Sequence, residues 1–417
     1  MLTLSLPVSP TGDYSASPRV RKFRNRLSFT DSGLSRPKII VCDADDGRSY
    51  KQLVKGGDDM RQDAVMQQVF ENVNYTLGRV EETRKRALHI RTYKIVPLTP
   101  QTGVIEYVQN TEPFGHYLLH GDHAAHERYY PQDWTCQECR AHMTAGEPSE
   151  REARFLEVMA RFHPVFRFYL LEKYPDPAQW VNCRRAYTQS VAVNSFVGYV
   201  LGIGDRHVHN IMIDSQTAEV VHIDFGIVFE QGKILATPET VPFRLTRDVV
   251  DGMGATGTEG TFRRASEEVL RVLRDNTLQL MTILEVVLHD PLYKWSLSPL
   301  QARAKQADDL GQGQGQGQAG PSGDTIVGTD NTLRGTLSRT PLAEGSDRPD
   351  RDAQGVGLGS ARDAAERTLL RIKSKLQGFE DPSGESLGVE GQVDLVIQSA
   401  KDPRNLAKLF PGWNAWV

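Results

Sequence analysis

Two short polar motifs in the middle of the chain contain residue types that phosphoryl transfer requires. The first runs from Gly202 to Asn210 and reads Gly-Ile-Gly-Asp-Arg-His-Val-His-Asn, and the second is an Asp-Phe-Gly triplet that begins at Asp224. A phosphoryl group in flight carries spread-out negative charge, so its transfer depends mainly on positioning and on cations. One carboxylate, an amide five residues later and a second carboxylate therefore predict a phosphoryl-transfer site.

The polar residues of the two motifs can be given separate roles. Magnesium prefers oxygen ligands, so we assign Asp224 and Asn210 to metal binding. Asp205 would orient the attacking hydroxyl group and accept its proton, and His207 would donate a hydrogen bond to the transferring phosphate. The motifs could also be a surface turn and a strand end. Their order and spacing favour a catalytic site, although protein kinases usually have His-Arg-Asp where this chain has Asp-Arg-His.

Composition indicates a globular protein with a hydrophobic core. Of the 417 residues 39% are hydrophobic, and the net charge of −4 argues against a surface devoted to nucleic acid. The basic stretch at residues 19–26 is a local exception, which we interpret as a solvated edge strand or arm.

No leader peptide or membrane-crossing run is predicted, so we expect a soluble intracellular protein. The four cysteines, with one Cys-x-x-Cys pair, favour neither a disulfide framework nor structural zinc.

The first quarter of the chain is predicted to form a small sheet with one helix. Strands are expected at residues 37–42, 50–54, 89–96 and 104–108, and Asp45-Asp46-Gly47 is a hairpin-turn signal. Lys55 would lie at the end of the second strand, and the helix would begin near Asp58. Apolar residues recur on one face of this helix with the spacing of a buried stripe: Met66, Val69, Phe70, Val73 and Leu77.

The following region, residues 117–293, is predicted to be mostly helical. A helix over residues 184–201 is apolar on nearly all sides, and Gly202 and Gly204 would end it. Residues 211–213 and 220–223 are expected to form a hairpin, which would place Asn210 and Asp224 at adjacent strand ends.

The composition changes after residue 306. A Gly-Gln tract and a long stretch of small and polar residues cannot bury enough apolar area to order themselves, so disorder is predicted to about residue 360. A helix over residues 361–376 and a compact aromatic element over residues 393–417 are expected to follow.

Three longer motifs resemble those of a known family. They are Lys-Gly-Gly-Asp-Asp-Met-Arg-Gln-Asp from Lys55, Glu-Thr-Val-Pro-Phe-Arg-Leu-Thr-Arg from Glu239, and Leu-Phe-Pro-Gly-Trp-Asn-Ala-Trp-Val from Leu409. With the reversed Asp-Arg-His loop, the chain resembles the phosphatidylinositol 3-kinase-related protein kinases, and within them the ataxia-telangiectasia-mutated and Tel-type kinases. The resemblance implies an α+β, two-lobed kinase fold of the PI3/PI4-kinase type, with a C-terminal helical FATC element.

The resemblance also implies a domain organisation. The expected parts are a partly ordered basic segment (1–36), the small lobe (37–109), the large lobe (110–299), a disordered insertion (300–360), a regulatory helix (361–378) and the FATC element (385–417).

The resemblance implies ATP and Mg²⁺ as cofactors, with Mn²⁺ as an alternative metal. Lys55, held by Asp58, would neutralise ATP phosphates, and Asp63 would be an inward carboxylate near the adenine pocket. The hinge would be Glu106, Tyr107 and Val108, with backbone groups of Glu106 and Val108 pairing with adenine and Tyr107 packing on its ring. Each assignment has a purely structural alternative. Lys55 could be a solvated lysine, Asp63 a charge at a helix N-terminus, and residues 106–108 part of a core strand.

Two features depart from the family pattern. The family usually has Asp-Leu-Gly where this chain has Asp-Phe-Gly, a change that should leave metal binding intact. The expected phosphate-covering loop, residues 28–35, contains a single glycine, Gly33, so its contacts with phosphate do not follow from the resemblance.

The function implied is a serine/threonine protein kinase that modifies Ser or Thr before Gln, in nuclear DNA-damage checkpoint and telomere signalling. Implied partners are Ser-Gln and Thr-Gln protein substrates, a recruiter complex that binds DNA ends, and a second copy in the full-length protein. No membrane partner is expected, and direct nucleic-acid binding is left open. The alternatives are a phosphoinositide lipid kinase of the same fold and an inactive scaffold.

Overall fold

The computed structural model describes residues 18–30, 37–119, 124–289, 353–380 and 384–417, together with Asp13 and Ser15. Most of the predicted N-terminal segment, most of the expected phosphate-covering loop and the Gly-Gln insertion lie outside these residues. The fold therefore refers to the two lobes and the C-terminal helices.

The small lobe is built on a six-stranded antiparallel sheet in the order β1-β3-β4-β6-β5, with β2 paired to β3. Gly47 adopts a φ of +78° between β3 and β4, a conformation that glycine accepts without strain. Lys55 lies within β4, opposite Gly103 of β6. The strands are β1 (Val20–Phe23), β2 (Ser28–Phe29), β3 (Lys38–Ala44), β4 (Ser49–Gly56), β5 (Ile95–Thr99) and β6 (Thr102–Glu106).

Helix α1 (Arg61–Arg79) packs beside this sheet, followed by the short α2 (Glu81–Lys85). It begins three residues later than predicted, at Arg61 rather than Asp58, and its predicted apolar stripe is buried. Asp58 and Asp59 precede the helix and pair with Lys55 and Arg61 respectively.

The strand predicted over residues 89–96 is wrong for its first six residues, because β5 begins only at Ile95. Side chains of α1 satisfy the backbone of this segment instead of a neighbouring strand. The Asn74 amide both donates to and accepts from Ile90, each at 2.8 Å. The Gln67 side chain accepts the Tyr93 N–H at 3.0 Å.

The large lobe is mainly helical and contains a small antiparallel sheet in the order β7-β8-β9. The predicted hairpin is present as β8 and β9, with the Asp214 carboxylate accepting two turn amides. Sheet strands are β7 (Thr111–Pro113), β8 (Ile211–Asp214) and β9 (Val220–His222). Helices are α3 (Phe114–Leu119), α4 (Ala125–Tyr129), α5 (Cys136–Thr144), α6 (Arg151–Arg161), α7 (Arg167–Lys173), α8 (Pro177–Leu201), α9 (Arg247–Asp251), α10 (Thr261–Asp275) and α11 (Thr277–Leu288).

Helix α8 passes through the core of the large lobe, as its apolar composition predicts. It starts earlier than expected, because Asp176 caps it by accepting the Gln179 N–H at 2.8 Å and Pro177 occupies its first turn. Gly202 ends it in the left-handed conformation, with a φ of +64°.

The C-terminal part consists of α12 (Ala353–Leu376), α13 (Val389–Lys401) and α14 (Pro403–Leu406). The predicted disorder to residue 360 is wrong at its end, since α12 begins at Ala353 rather than residue 361. Extending a formed helix needs no new nucleation, which accounts for the longer helix. One continuous hydrophobic core joins α1, the large lobe and the final residues, including Trp416 and Val417.

All four cysteines are free thiols, and the described residues contain no cluster of three or more His, Cys, Asp or Glu suited to a metal ion. In the same part of the chain, no helix combines the length and apolarity that crossing a bilayer requires.

Trp416 offers a test of how far the C-terminal element belongs to the core, because its side chain is only 2% exposed. Trp416→Ala should lower the free energy of unfolding by about 3–5 kcal/mol, since it removes a large buried side chain. Denaturant unfolding measures this. Leu278→Ala, at a residue that is 83% exposed, is the matched control and should change stability by less than about 0.5 kcal/mol. Equal stability of both variants would show that the element is not part of the cooperative core.

Candidate active site

The end of α8 and a turn at Asp205 set the position of the first motif. The Gly204 N–H donates to the Ile227 carbonyl at 3.0 Å, which ties this loop to the residues after Asp-Phe-Gly. Asp205 itself has a φ of +58°, a conformation uncommon for residues other than glycine but more accessible to aspartate than to most. The carboxylate is therefore presented from a fixed turn.

The hairpin brings the second motif next to the first. The Ile223 N–H donates to the Asn210 carbonyl at 3.0 Å, so the residue before Asp224 is bonded directly to Asn210. The Asn210 side-chain amide donates to the Asp205 carbonyl at 2.9 Å and approaches its carboxylate at 3.4 Å. Because Nδ2 makes these bonds, Oδ1 is the atom of Asn210 that remains for a metal ion.

The first turn of α1 holds the Asp-Phe-Gly segment through both backbone groups of one residue, Phe225. The Asp63 carboxylate accepts the Phe225 N–H at 2.8 Å, and the Gln62 amide donates to the Phe225 carbonyl at 2.6 Å. Asp224 has a φ of +57°, and its carboxylate accepts the Gly226 N–H at 3.1 Å. Asp63, expected near adenine, is thus placed against the Asp-Phe-Gly backbone.

Lys55 and three carboxylates form one electrostatic cluster. The Lys55 ammonium lies 2.6 Å from the Asp58 carboxylate. Burial alone would lower the pKa of Lys55, but Asp224, Asp58 and Asp63 together raise it above its usual value, so the lysine is charged. Burial and the neighbouring Asp224 raise the pKa of Asp63 to about 6. The structure therefore brings the sequence-predicted Lys55, Asp58, Asp63 and Asp224 together.

Arg206, between Asp205 and His207, is a structural residue that sequence reasoning did not single out. Its guanidinium donates to the carbonyl oxygens of Gly204 at 2.9 Å and Ile223 at 2.8 Å, and also to that of Asp224. It is buried and lies 5.4 Å from the Phe225 ring centroid. Its place inside the Asp-Arg-His triplet was the available signal, but its partners are not visible in the sequence.

His207 is neutral in this environment. Burial lowers its pKa below the usual range, with the Asp205 carboxylate opposing the shift. The His209 N–H donates to Nδ1 of His207 at 3.1 Å, which makes Nδ1 an acceptor and leaves the ring proton on Nε2. A neutral ring with Nε2–H can donate one hydrogen bond, as its predicted role requires.

The predicted hinge lies where β6 ends. The N–H of Glu106 donates to the Lys94 carbonyl at 2.8 Å, and its carboxylate accepts the Lys94 N–H at 2.9 Å. The Val108 carbonyl accepts the Thr111 hydroxyl at 2.8 Å, and the Tyr107 ring lies 5.1 Å from the Lys51 ammonium. Glu106 is therefore tied to Lys94 through its N–H and its carboxylate, and the assignment of Glu106, Tyr107 and Val108 to the hinge stays a prediction.

The donor set fits magnesium and nucleotide phosphates. Asp224 and Asn210 supply a carboxylate and an amide oxygen, which are hard-metal ligands, and the charged Lys55 lies beside Asp224. Such a set can hold a metal ion and a triphosphate next to the Asp205 carboxylate.

Arg244, in the segment that follows Asp-Phe-Gly, links the loop of Asp205 to the end of the chain. Its buried guanidinium donates to the carbonyl oxygens of Trp413 at 2.9 Å, Asn414 at 2.8 Å and Val417 at 2.8 Å. It also donates to the Arg206 carbonyl at 3.3 Å. Arg244 therefore links the C-terminal residues to Arg206, which is the residue next to Asp205.

Comparison with known proteins agrees with this architecture. Residues 49–297 match the family model described as phosphatidylinositol 3- and 4-kinase, and residues 386–417 match the FATC domain. The FAT and kinase domain of CtTel1 is similar in structure, with a TM-score of 0.80 and 40% identity over all of this chain and 25% of that one.

Curated relatives are similar along the whole chain. The serine-protein kinase ATM of Sus scrofa is 46% identical over 418 residues, which cover all of this chain and 13% of that protein. The serine/threonine-protein kinase tel1 of Neurospora crassa is 44% identical over 420 residues, again all of this chain and 13% of the relative. The chain thus spans 13% of the length of these two relatives. The predicted α+β kinase fold is confirmed, and the chain belongs to the phosphatidylinositol 3- and 4-kinase family, in the FATC-containing branch of phosphatidylinositol 3-kinase-related kinases.

Proposed function

We propose that this chain is the catalytic part of an ATP-dependent serine/threonine protein kinase. The observation that carries the proposal is the convergence of Lys55, Asp205, Asn210 and Asp224. Each is held by hydrogen bonds or ion pairs with neighbouring residues. The names of the relatives, which are serine or serine/threonine protein kinases, support the same activity.

The side chains have distinct tasks in this proposal. Asp205 orients the substrate hydroxyl group and accepts its proton on a carboxylate oxygen. Lys55 neutralises phosphate charge, and Nε2–H of His207 donates to the transferring group. Asn210 Oδ1 and the Asp224 carboxylate would hold Mg²⁺, with Mn²⁺ as an alternative. When bound, this metal and ATP supply the charge neutralisation and the phosphoryl group.

The segment after Asp-Phe-Gly favours a protein substrate over a phosphoinositide. Recognition of several phosphates needs several cations or donors. Between Phe225 and Pro242 the only cation is Lys233, and its ammonium lies 2.5 Å from the Glu230 carboxylate. A cavity of about 180 Å³ between this segment, Gly204 and α12 offers room for a substrate side chain.

The target sequence, the pathway and the recruiting partner are proposed from the similarity to the named relatives. We propose Ser or Thr before Gln as the target, a nuclear role in DNA-damage checkpoint and telomere signalling, and recruitment by a complex that binds DNA ends. One Tel1 structure is described as a complete dimer with C2 symmetry, which supports a homodimer of the longer protein.

Substitution of the two aspartates separates chemistry from nucleotide binding. Asp205→Ala should abolish phosphoryl transfer while MgATP still binds, because Asp205 acts on the hydroxyl group. Asp224→Ala should weaken MgATP binding as well, because it removes a metal ligand. Turnover and calorimetric MgATP affinity measure the two effects. Parental activity in Asp205→Ala would refute the assignment of this residue as the base, and an active parent chain rules out the inactive-scaffold alternative.

Substrate class is decided by offering both acceptors to the same preparation. We expect transfer of labelled phosphate to Ser-Gln peptides, with much weaker transfer to Ser-Ala controls, and none to phosphatidylinositol vesicles. The physical reason is that Lys233, the single cation between Phe225 and Pro242, is already paired with Glu230. Turnover of lipid alone would overturn the protein-kinase assignment in favour of the lipid-kinase alternative.

Arg244 tests whether the C-terminal residues support catalysis. Arg244→Met keeps most of the side-chain volume but removes the donors to Trp413, Asn414 and Val417. We expect kcat to fall by about tenfold or more, since small displacements of a catalytic loop are costly. Lys85→Met, which removes an exposed pair with Glu81 on α2, is the control. Unchanged turnover in a folded Arg244→Met protein would reject the coupling.

A further inference from the structure

The segment after Asp-Phe-Gly places a carboxylate on the backbone of Asp205. The Asp205 N–H donates to Oε1 of Glu239 at 2.7 Å, across a separation of 34 residues. We propose that Glu239 is a positioning residue, which fixes the turn that presents Asp205 and thereby sets the rate of phosphoryl transfer. The inference rests on the proposed function, because it deepens the role of that same site.

The turn needs such a partner. Asp205 has a φ of +58°, which for an L-residue costs free energy relative to an ordinary turn. The Asn210 amide holds the carbonyl of this residue at 2.9 Å, and Glu239 holds its N–H. The peptide groups on both sides of the Asp205 Cα atom are therefore bonded, so the direction of the side chain is fixed.

Two glycines allow Glu239 to reach this position. A Cβ atom at either Gly204 or Gly232 would collide with Oε2 of the Glu239 carboxylate. Neither glycine has a positive φ in this structure. Glycine is therefore needed at both positions because it leaves space for the carboxylate, and not because the backbone requires its conformational freedom.

Glu239 is itself held in place. Its N–H donates to the Gly232 carbonyl at 2.9 Å, and the hydroxyl of the next residue, Thr240, donates to the Asn405 carbonyl of α14 at 2.7 Å. The side chain is thus anchored on one side to its own segment and on the other to the C-terminal element.

The contact depends on an acceptor oxygen rather than on a full negative charge. Burial and the nearby Asp205 carboxylate raise the pKa of Glu239 to about 7, so a fraction of the side chains is protonated at neutral pH. A protonated carboxyl group still has a carbonyl oxygen that accepts an N–H. Glutamine has the same oxygen at the same distance from the backbone, so it should replace glutamate, whereas alanine should not.

The kinetic test compares Glu239→Gln and Glu239→Ala in the full chain, with Glu285→Ala, an exposed residue of α11, as control. We expect Glu239→Ala to lower kcat by on the order of 10²-fold with KM for ATP unchanged. Glu239→Gln should stay within about threefold of the parent. Parental kcat in Glu239→Ala, or equal losses in both variants, would overturn the proposal.

A second readout does not require activity. Amide hydrogen exchange over residues 203–208 should accelerate about tenfold in Glu239→Ala, which loses the acceptor, and stay parental in Glu239→Gln. Unchanged exchange in Glu239→Ala would overturn the inference. If the parent chain transfers no phosphate, the proposed function fails, and this measurement still decides the role of Glu239.

Gly232→Ala provides an independent test of the proposed contact, because the new methyl group would displace the Glu239 carboxylate. In the parent background it should lower kcat and accelerate exchange at residues 203–208. In the Glu239→Ala background it should add little, since the group it displaces is already gone. Additive effects of the two substitutions would contradict the proposed contact.

Discussion

The guanidinium of Arg206 is the interaction on which the arrangement of the candidate site depends. It bonds carbonyl oxygens before Asp205, before Asp224 and at Asp224 itself, and so joins two loops that are separate in sequence. Both aspartates occupy left-handed backbone conformations. Such turns are stable only when their surroundings bond them firmly, and an unpaired buried carbonyl costs about 1–3 kcal/mol. One planar group with five donors satisfies several of these carbonyls at once.

Around that framework the protein gathers more negative than positive charge. Asp58, Asp63 and Asp224 surround the single ammonium of Lys55, and burial together with repulsion by Asp224 raises the pKa of Asp63. A divalent cation relieves such repulsion. The hydrogen bond from Phe225 to Asp63 adds a second use for this carboxylate, because it fixes the Asp-Phe-Gly turn to α1. The same acid thus contributes to both the charge and the geometry of the site.

The C-terminal helices contact the segment that follows Asp-Phe-Gly directly. Lys375 of α12 is buried and pairs with Glu230, which follows Asp-Phe-Gly, while it also donates to the Tyr199 carbonyl at 2.5 Å near the end of α8. Burial alone would raise the pKa of Glu230, but Lys375 and Lys233 together lower it to about 2. Lys375 thus ties the segment after Asp-Phe-Gly to α12, and Thr240 and Arg244 tie the same segment to the FATC element. Displacement of these helices should therefore change the position of Asp205.

The sequence by itself determined the features that depend on neighbouring residues: the buried stripe of α1, the hairpin at Gly47, the end of α8 at Gly202 and the spacing of Asp205, Asn210 and Asp224. It misjudged residues 89–94, because the groups that satisfy their backbone, Asn74 and Gln67, come from a helix and not from a strand. Nothing in the sequence indicates the roles of four further residues, which are Gln62, Arg206, Glu239 and Arg244. Their side chains form hydrogen bonds with backbone groups. Because every residue has these groups, the residue type of the partner does not identify it. Only the tertiary structure decides which distant peptide group each of them meets.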